Sequence, residues 1–429
     1  MTASTGLGRP PGRPGAPGGR RDPLSALRHS QFRWLFSSNM AFFMAMNAQM
    51  LVRGWLAWEL TDSELALGSV SFAVAVPMMV IAPFGGVISD RVERRNLIVL
   101  GQATLIIGEF GVLMLLITGL LQFWHLLVLA TLMGCAFPFI MPARQAIVVN
   151  VVGKEGLPNA MALGMAGMNM TRVLGPALAG YLLWALPIEA AYAVSVGLYA
   201  VALGCMLGVH RSPPHPDARD RSIMKSLGEG GSYIVNHRLV LILLFFGLVP
   251  MFLAMPFQTL LVVFADDIWQ VGARGLGFLS AAAGVGGVVG SMYVAWNSDS
   301  SHRLRQMVWS AVFFGAFLLF FSVSPWFLAA LPLILLANIF SSIYGTLNNT
   351  AIQLLIPDEV RGRISSFLMM SFSLPLLGTL PMSAVAEVYG APVAVGAAAI
   401  LAVVTVILFY ALSPALRNLD AAVLKAVRE

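Results

Sequence analysis

Charge is what this chain has least of. Only 11% of its 429 residues are Asp, Glu, Lys or Arg, against 58% hydrophobic residues and a mean hydropathy of +0.81. So little polar surface cannot cover a water-facing globule, which excludes a soluble domain and leaves an integral membrane protein. Cysteine is nearly absent: Cys135 and Cys205 both fall in apolar stretches. No Cys/His cluster has ligand spacing, so neither a disulfide framework nor a metal centre is expected. The six histidines are scattered, and no Ser/His/Asp set or paired carboxylates point to an embedded enzyme. No Walker lysine loop is present, which argues against direct ATP coupling. Gly284-x-Gly286-Gly287-x-x-Gly290 has the look of a nucleotide loop, but it sits in an apolar run with no strand before it. Close helix packing explains it better. The net charge of +6 is spread over short loops, so a nucleic-acid partner is not expected.

What is present is a series of apolar runs, each about 20 residues long and able to cross a hydrocarbon core of about 30 Å. Twelve are expected, near 32–60, 66–89, 96–118, 123–145, 159–184, 188–209, 238–264, 274–297, 304–324, 326–355, 364–388 and 391–413. Residues 1–30 are rich in Gly, Pro and Arg, lack the apolar core of a signal peptide, and read as a disordered cytoplasmic tail. A break at 211–237, with Pro213, Pro214, Pro216 and several charges, reads as a cytoplasmic linker between six-span bundles at 31–210 and 238–415. Residues 416–429 form a second cytoplasmic tail. Of the 26 Lys and Arg, all but Arg53, Arg172 and Arg274 fall on one side of this arrangement. The positive-inside rule therefore puts both termini in the cytoplasm.

The stretch Gly85-Gly86-Val87-Ile88-Ser89-Asp90-Arg91-Val92-Glu93-Arg94-Arg95 is a tight charged hairpin between the second and third spans. It recurs in worn form. Leu67-Gly68 and Leu276-Gly277 open the second and eighth spans, Asp90 and Asp299 follow at equal distance, and Arg94 matches Arg303, all at an offset of 209. Val152-Gly153-Lys154-Glu155 and Ile356-Pro357-Asp358-Glu359 echo each other between later spans. Matched topology, spacing and charge argue for duplication. Two similar bundles around a midplane cavity are an architecture for alternating access.

Gly86-x-x-x-Asp90-Arg91-x-x-Arg94-Arg95 resembles the signature loop of the major facilitator superfamily. Trp55-x-x-Trp58-Glu59-Leu60-Thr61, Met141-Pro142-Ala143-Arg144-Gln145, Asn169-x-x-Arg172-Val173-Leu174-Gly175-Pro176-Ala177-Leu178-Ala179-Gly180 and Pro357-Asp358-Glu359-x-Arg361-Gly362-Arg363 are similar to the branch containing the enterobactin exporter and macrolide efflux pumps. The resemblance implies an all-α membrane fold of twelve transmembrane helices in two pseudo-symmetric six-helix bundles. It implies a monomer in a bacterial inner membrane, exporting a small amphipathic molecule with a proton gradient as energy source and no bound cofactor. Glu93 stands where the family loop has glycine. Many relatives carry an aspartate in span one where this chain has Met46.

Several residues follow as candidates. Gly86, Asp90, Arg91, Arg94, Arg95, Asp299 and Arg303 form either a latch between bundles or a mere topology signal; Asp90 pairing with the arginines, or the arginines with a helix end, favours the latch. Arg172, Gly175, Pro176 and Gly180 form a helix-five motif, read as a kink or as a seal on the cavity. Ionisable groups inside the hydrocarbon are costly unless paired or facing water. Glu109 and Arg172 are expected at similar depth with opposite sign, as a structural or a proton-coupling pair. Arg53 is expected to snorkel outward past Trp55 and Trp58, or to meet an anionic substrate. With Met46 in place of an acid, Glu109 leads as the coupling carboxylate, and Asp90 is second. Met46, Asn47, Met50, Arg53, Asn169, Gln258, Asn338 and Asn348 are candidate cavity residues; methionine and amide side chains suit an amphipathic ligand. A lipid flippase or an uncoupled uniporter is the other reading.

Overall fold

In the computed structural model, residues 24–211, 223–297, 302–356, 373–421 and 423 are described. The first 23 residues, Asp299 and the Pro357–Arg363 motif lie outside them, as do the side chains of Gly86 and Asp90.

The described chain is helical throughout. In the first half the helices are α1 (Ser30–Thr61), α2 (Glu64–Arg91), α3 (Arg94–Ile117), α4 (Phe123–Ala185) and α5 (Ile188–Leu207). The expected fourth and fifth spans run on as the two limbs of α4. Only Gly153, with φ 69° and ψ 177°, breaks the helical path between them, a conformation that glycine adopts without steric cost. Arg144 is consequently a buried residue of the first limb and not the loop cation that the charge pattern implies.

The linker is partly structured: α6 (Ile223–Asn236) is a strongly amphipathic helix ahead of the second half. Then follow α7 (Arg238–Ala254), α8 (Gly272–Trp296), α9 (Arg303–Ser322), α10 (Phe327–Leu355), α11 (Leu374–Tyr389) and α12 (Ala391–Leu412). Beyond Ala254, α7 loosens into a 3-10 turn at Met255–Leu260 that opens on a proline, and then into a π turn at Phe264–Ile268. Nine of the described helical segments are long and apolar enough to cross a bilayer. Those nine do not include α1, diluted by its polar residues, the second limb of α4, or the shorter apolar α11.

The two halves join at the end opposite the hairpin of α2 and α3. The largest apolar cluster is shared there, from Ala48, Leu56 and Leu67 to Phe257, Leu276 and Met382. Clusters nearer the hairpin end belong to one half each. Two helix pairs make the joint, each through small residues. A methyl group added at Gly180 of α4 would fall 2.5 Å from Gly277 Cα of α8. One added at Gly68 of α2 would fall 2.6 Å from Ser383 Cβ of α11, where Thr379 Oγ1 also donates to the Gly68 carbonyl at 3.1 Å. Gly68 and Gly277 are the very pair matched at an offset of 209. In a bilayer, where apolar side chains gain nothing by leaving lipid, such close backbone approach is what drives helices together.

Replacing Gly180 with leucine is therefore expected to wedge the halves apart at this end. In a background lacking Cys135 and Cys205, cysteines placed at Ser63 and Glu387 should cross-link readily, and Gly180→Leu should lower the yield several-fold. An unchanged yield would show that the joint does not depend on this contact.

Candidate functional site

The apolar interior of the first half holds one tight polar cluster. On α3 the buried row Ile98, Gln102, Leu105, Glu109, Val112 and Leu113 follows helical spacing, so Glu109 points inward with only 1% exposure. On α1, Gln49 and Arg53 stand one turn apart on the same face. Together they supply both partners of the Glu109 carboxylate. Arg53 Nη2 donates to Oε1 at 2.7 Å, and Gln49 Nε2 donates to Oε2 at 2.5 Å. Met133 of α4 completes the contact at 3.3 Å from Arg53 Nη1, and Tyr192 and Tyr199 of α5 stand close by.

Two expectations are thereby corrected. Arg53 does not snorkel outward or stand open to a ligand; it is 5% exposed and paired with Glu109. Glu109 does not pair with Arg172. Equal depth along two helices says nothing about which faces meet, whereas the four-residue spacing of Gln49 and Arg53 carried the right signal.

Arg172 is solvent-exposed on the second limb of α4. No carboxylate among the described residues pairs with it. The rest of its motif makes packing contacts. Gly175 lies against Asn47 and Ala48 of α1, the Pro176 carbonyl approaches Gly277, and Gly180 forms the joint with α8. The motif thus serves both as a kink and as part of the join between halves.

The other cavity candidates divide. Met50 is exposed. Met46 packs into the first-half core, and Asn47 donates to its own helix at Phe43 O. Asn338 and Asn348 are buried against neighbouring helices, at Gly286 and Gly247. Asn169 and Gln258 are half-buried. In each corrected case the side chain lies on a helix face turned to a partner helix, a matter that depth and polarity do not decide.

In the hairpin, α2 ends at Arg91 and α3 begins at Arg94, each helix running two residues further into the charged stretch than the apolar runs 66–89 and 96–118. Arg95 donates to the Leu207 carbonyl at 2.7 Å and the Met206 carbonyl at 3.4 Å. It caps the C-terminus of α5, where the helix dipole favours a cation. That bond lies inside the first half, so Arg95 ties this bundle together and does not bridge to the other. The close approach on α2 is made by Gly85, against the Pro138 carbonyl of α4. Arg303 opens α9 at the matching place in the second half.

A set of residues that the sequence reading missed closes the far end. Glu387 of α11 accepts from the Ser63 hydroxyl and from the Leu65 backbone N–H of α2, both at 2.9 Å. Ser63 is the N-cap of α2, so one half supplies a carboxylate to the helix N-terminus of the other, the favourable sign for that end of the dipole. Trp58 Nε1 donates across the same junction to Asp266 Oδ2 at 3.0 Å, and the π turn carries Asp266 to that place. Only the Asp-Ser-Glu sequence at the head of α2 hinted at a cap; nothing local marks the partner.

Cutting one partner of the Glu109 cluster is expected to cost more than removing the pair. Glu109→Ala strands Arg53 in an apolar interior, a loss on the order of 3–5 kcal/mol. Arg53→Met with Glu109→Leu should recover most of it. Thermal unfolding of the detergent-solubilised protein reads the difference, and equal losses in single and double variants would refute the pairing.

The chain is similar in sequence and in fold to known proteins. The chain is 27% identical over 361 residues to the enterobactin exporter EntS of Escherichia coli, covering 80% of this chain and 82% of that protein. It is 23% identical over 365 residues to the staphyloferrin A transporter of Staphylococcus aureus, covering 83% and 90%. Among solved structures, the nucleoside transporter NupG superposes with a TM-score of 0.72 at 14% identity, over 89% of this chain and 98% of that one. A bacterial homologue of the human lysosomal transporter Spinster gives 0.69 at 13% identity, over 96% and 99%. A family model described as transmembrane secretion effector matches residues 21–428. The chain is thus a multi-pass membrane transporter, not an enzyme, and belongs to the transmembrane secretion effector family of the major facilitator superfamily.

Proposed function

We propose that this protein exports a small amphipathic molecule, siderophore-like in kind, by alternating access in antiport with protons, and that Glu109 carries the coupling proton. Export and the kind of substrate are supported by the two relatives, an enterobactin exporter and a staphyloferrin A transporter, each aligned over four-fifths or more of this chain.

The observation that carries the coupling is the Arg53–Glu109 pair. Protonating Glu109 removes the charge that compensates Arg53, and an uncompensated cation in a low-dielectric interior is costly. The helices α1 and α3 must then shift relative to each other or admit water. Since α1 also carries Trp58 to the far-end junction, a shift at Glu109 reaches the closure between halves through one continuous helix. The halves meet at the end opposite the hairpin, which under the cytoplasmic-termini topology is a state open to the cytoplasm, ready to load.

The test is accumulation of radiolabelled enterobactin in inverted membrane vesicles with an acidic lumen. Wild type should accumulate it until a protonophore is added. Glu109→Gln should lose gradient-driven accumulation by at least tenfold while keeping downhill exchange. Accumulation retained in Glu109→Gln would move the coupling elsewhere, with Asp90 next. Transport indifferent to the gradient would overturn antiport in favour of an uncoupled carrier or flippase.

A further inference from the structure

Arg172 is an accessible cation in an apolar helix that no carboxylate among the described residues pairs with. Its position on the second limb of α4 is fixed by the contacts of its neighbours. One face of that limb, carrying Gly167 and Gly175, packs on α1; another, carrying Gly180, packs on α8. At about 100° per residue, Arg172 projects between these two faces. Met170, Leu174 and Tyr181, exposed at 49%, 44% and 58%, lie on the opposite side, where a helix at the rim of the molecule meets lipid.

The Arg172 side chain is accessible, while a methyl group added at Gly284 of α8 would fall 2.8 Å from the Arg172 carbonyl, so α8 packs directly on its backbone. The cation therefore stands beside the seam between the halves, flanked by α1 and α8. Exposed Met161 and Met165 share its face of the helix. Arg172 has no carboxylate partner among the described residues, whereas Arg53 has Glu109. An accessible guanidinium in an apolar helix is costly to leave unsolvated, and water or an anion would relieve that cost.

We propose that Arg172 is the anion-binding element of the substrate site, and that the exported molecule carries an acidic group, such as a carboxylate, that pairs with its guanidinium. The methionines beside it would meet the apolar part of the same ligand, since their soft, adaptable side chains fit varied surfaces. This rests on the export reading above and narrows its substrate class from amphipathic to acidic amphipathic molecules.

Isothermal titration of the full-length, detergent-solubilised protein with 2,3-dihydroxybenzoylserine and with its methyl ester tests it. The two probes differ in one carboxylate. Wild type should bind the acid at least tenfold more tightly than the ester. Arg172→Gln should abolish that preference while leaving ester affinity unchanged, which also reports that the variant is folded. Arg172→Lys should restore most of it. Should Arg172→Gln fail to purify, raised ionic strength should erode the wild-type preference for the acid alone. A preference unchanged in Arg172→Gln or by salt, equal binding of both probes, or binding of neither would overturn the assignment. Acid preference without proton-driven accumulation would keep this inference and sink the antiport.

Discussion

Glycine against glycine is the contact on which the rest depends. Where α4 crosses α8, Gly180 and Gly277 leave no room for even one methyl group, and where α2 crosses α11, Gly68 leaves none beside Ser383. Lipid solvates apolar side chains as well as protein does, so the halves of a membrane protein do not adhere by hydrophobicity. They adhere where backbones approach closely and polar groups find one another. Both conditions hold at this end, where Thr379, Glu387 and Asp266 make hydrogen bonds across the same junction. Among the described residues these joints carry no buried charge pair, which suits contacts that break and re-form in each transport cycle.

Each half, by contrast, is held internally by contacts that would be costly to lose. Arg53, Gln49 and Glu109 bind α1 to α3 in the apolar interior. Arg95 fastens α3 to the C-terminus of α5. Arg144 of α4 lies over the ring of Phe42 at 4.3 Å and bonds to Asn39, both on α1. In the second half Trp269 donates to the Ser324 carbonyl at 3.0 Å and packs on Phe321. Contacts of this kind within each half, and hydrogen bonds and close packing between them, suit a mechanism in which one half moves against the other. Arg172 belongs to neither set: it sits on the motif that builds the joint, yet no carboxylate among the described residues pairs with it. Its place between the two halves is where a ligand's charge would be felt by both.

The architecture was legible because the bilayer imposes it. Apolar runs of spanning length give the helices from physics that acts along the chain, and the offset of 209 pointed to Gly68 and Gly277, both of which lie at the joint. The Gly-Pro motif of α4 was likewise visible as a packing device. What stayed hidden was azimuth. Arg53 and Arg172 are both lone arginines in apolar helices, and sequence depth assigned Glu109 to the wrong one. Asn338 and Asn348 read as cavity residues by polarity alone, and they turned out to be buried between helices.

By itself, then, the sequence determined a helical membrane transporter of two related halves, with a charged hairpin and intramembrane ions, since the cost of exposing backbone or charge to hydrocarbon applies to every such chain. Only the tertiary structure decided which ions pair, which glycines touch and which end is closed. Those outcomes depend on how each helix is rotated about its own axis, and that rotation is set by packing against neighbours distant in the chain.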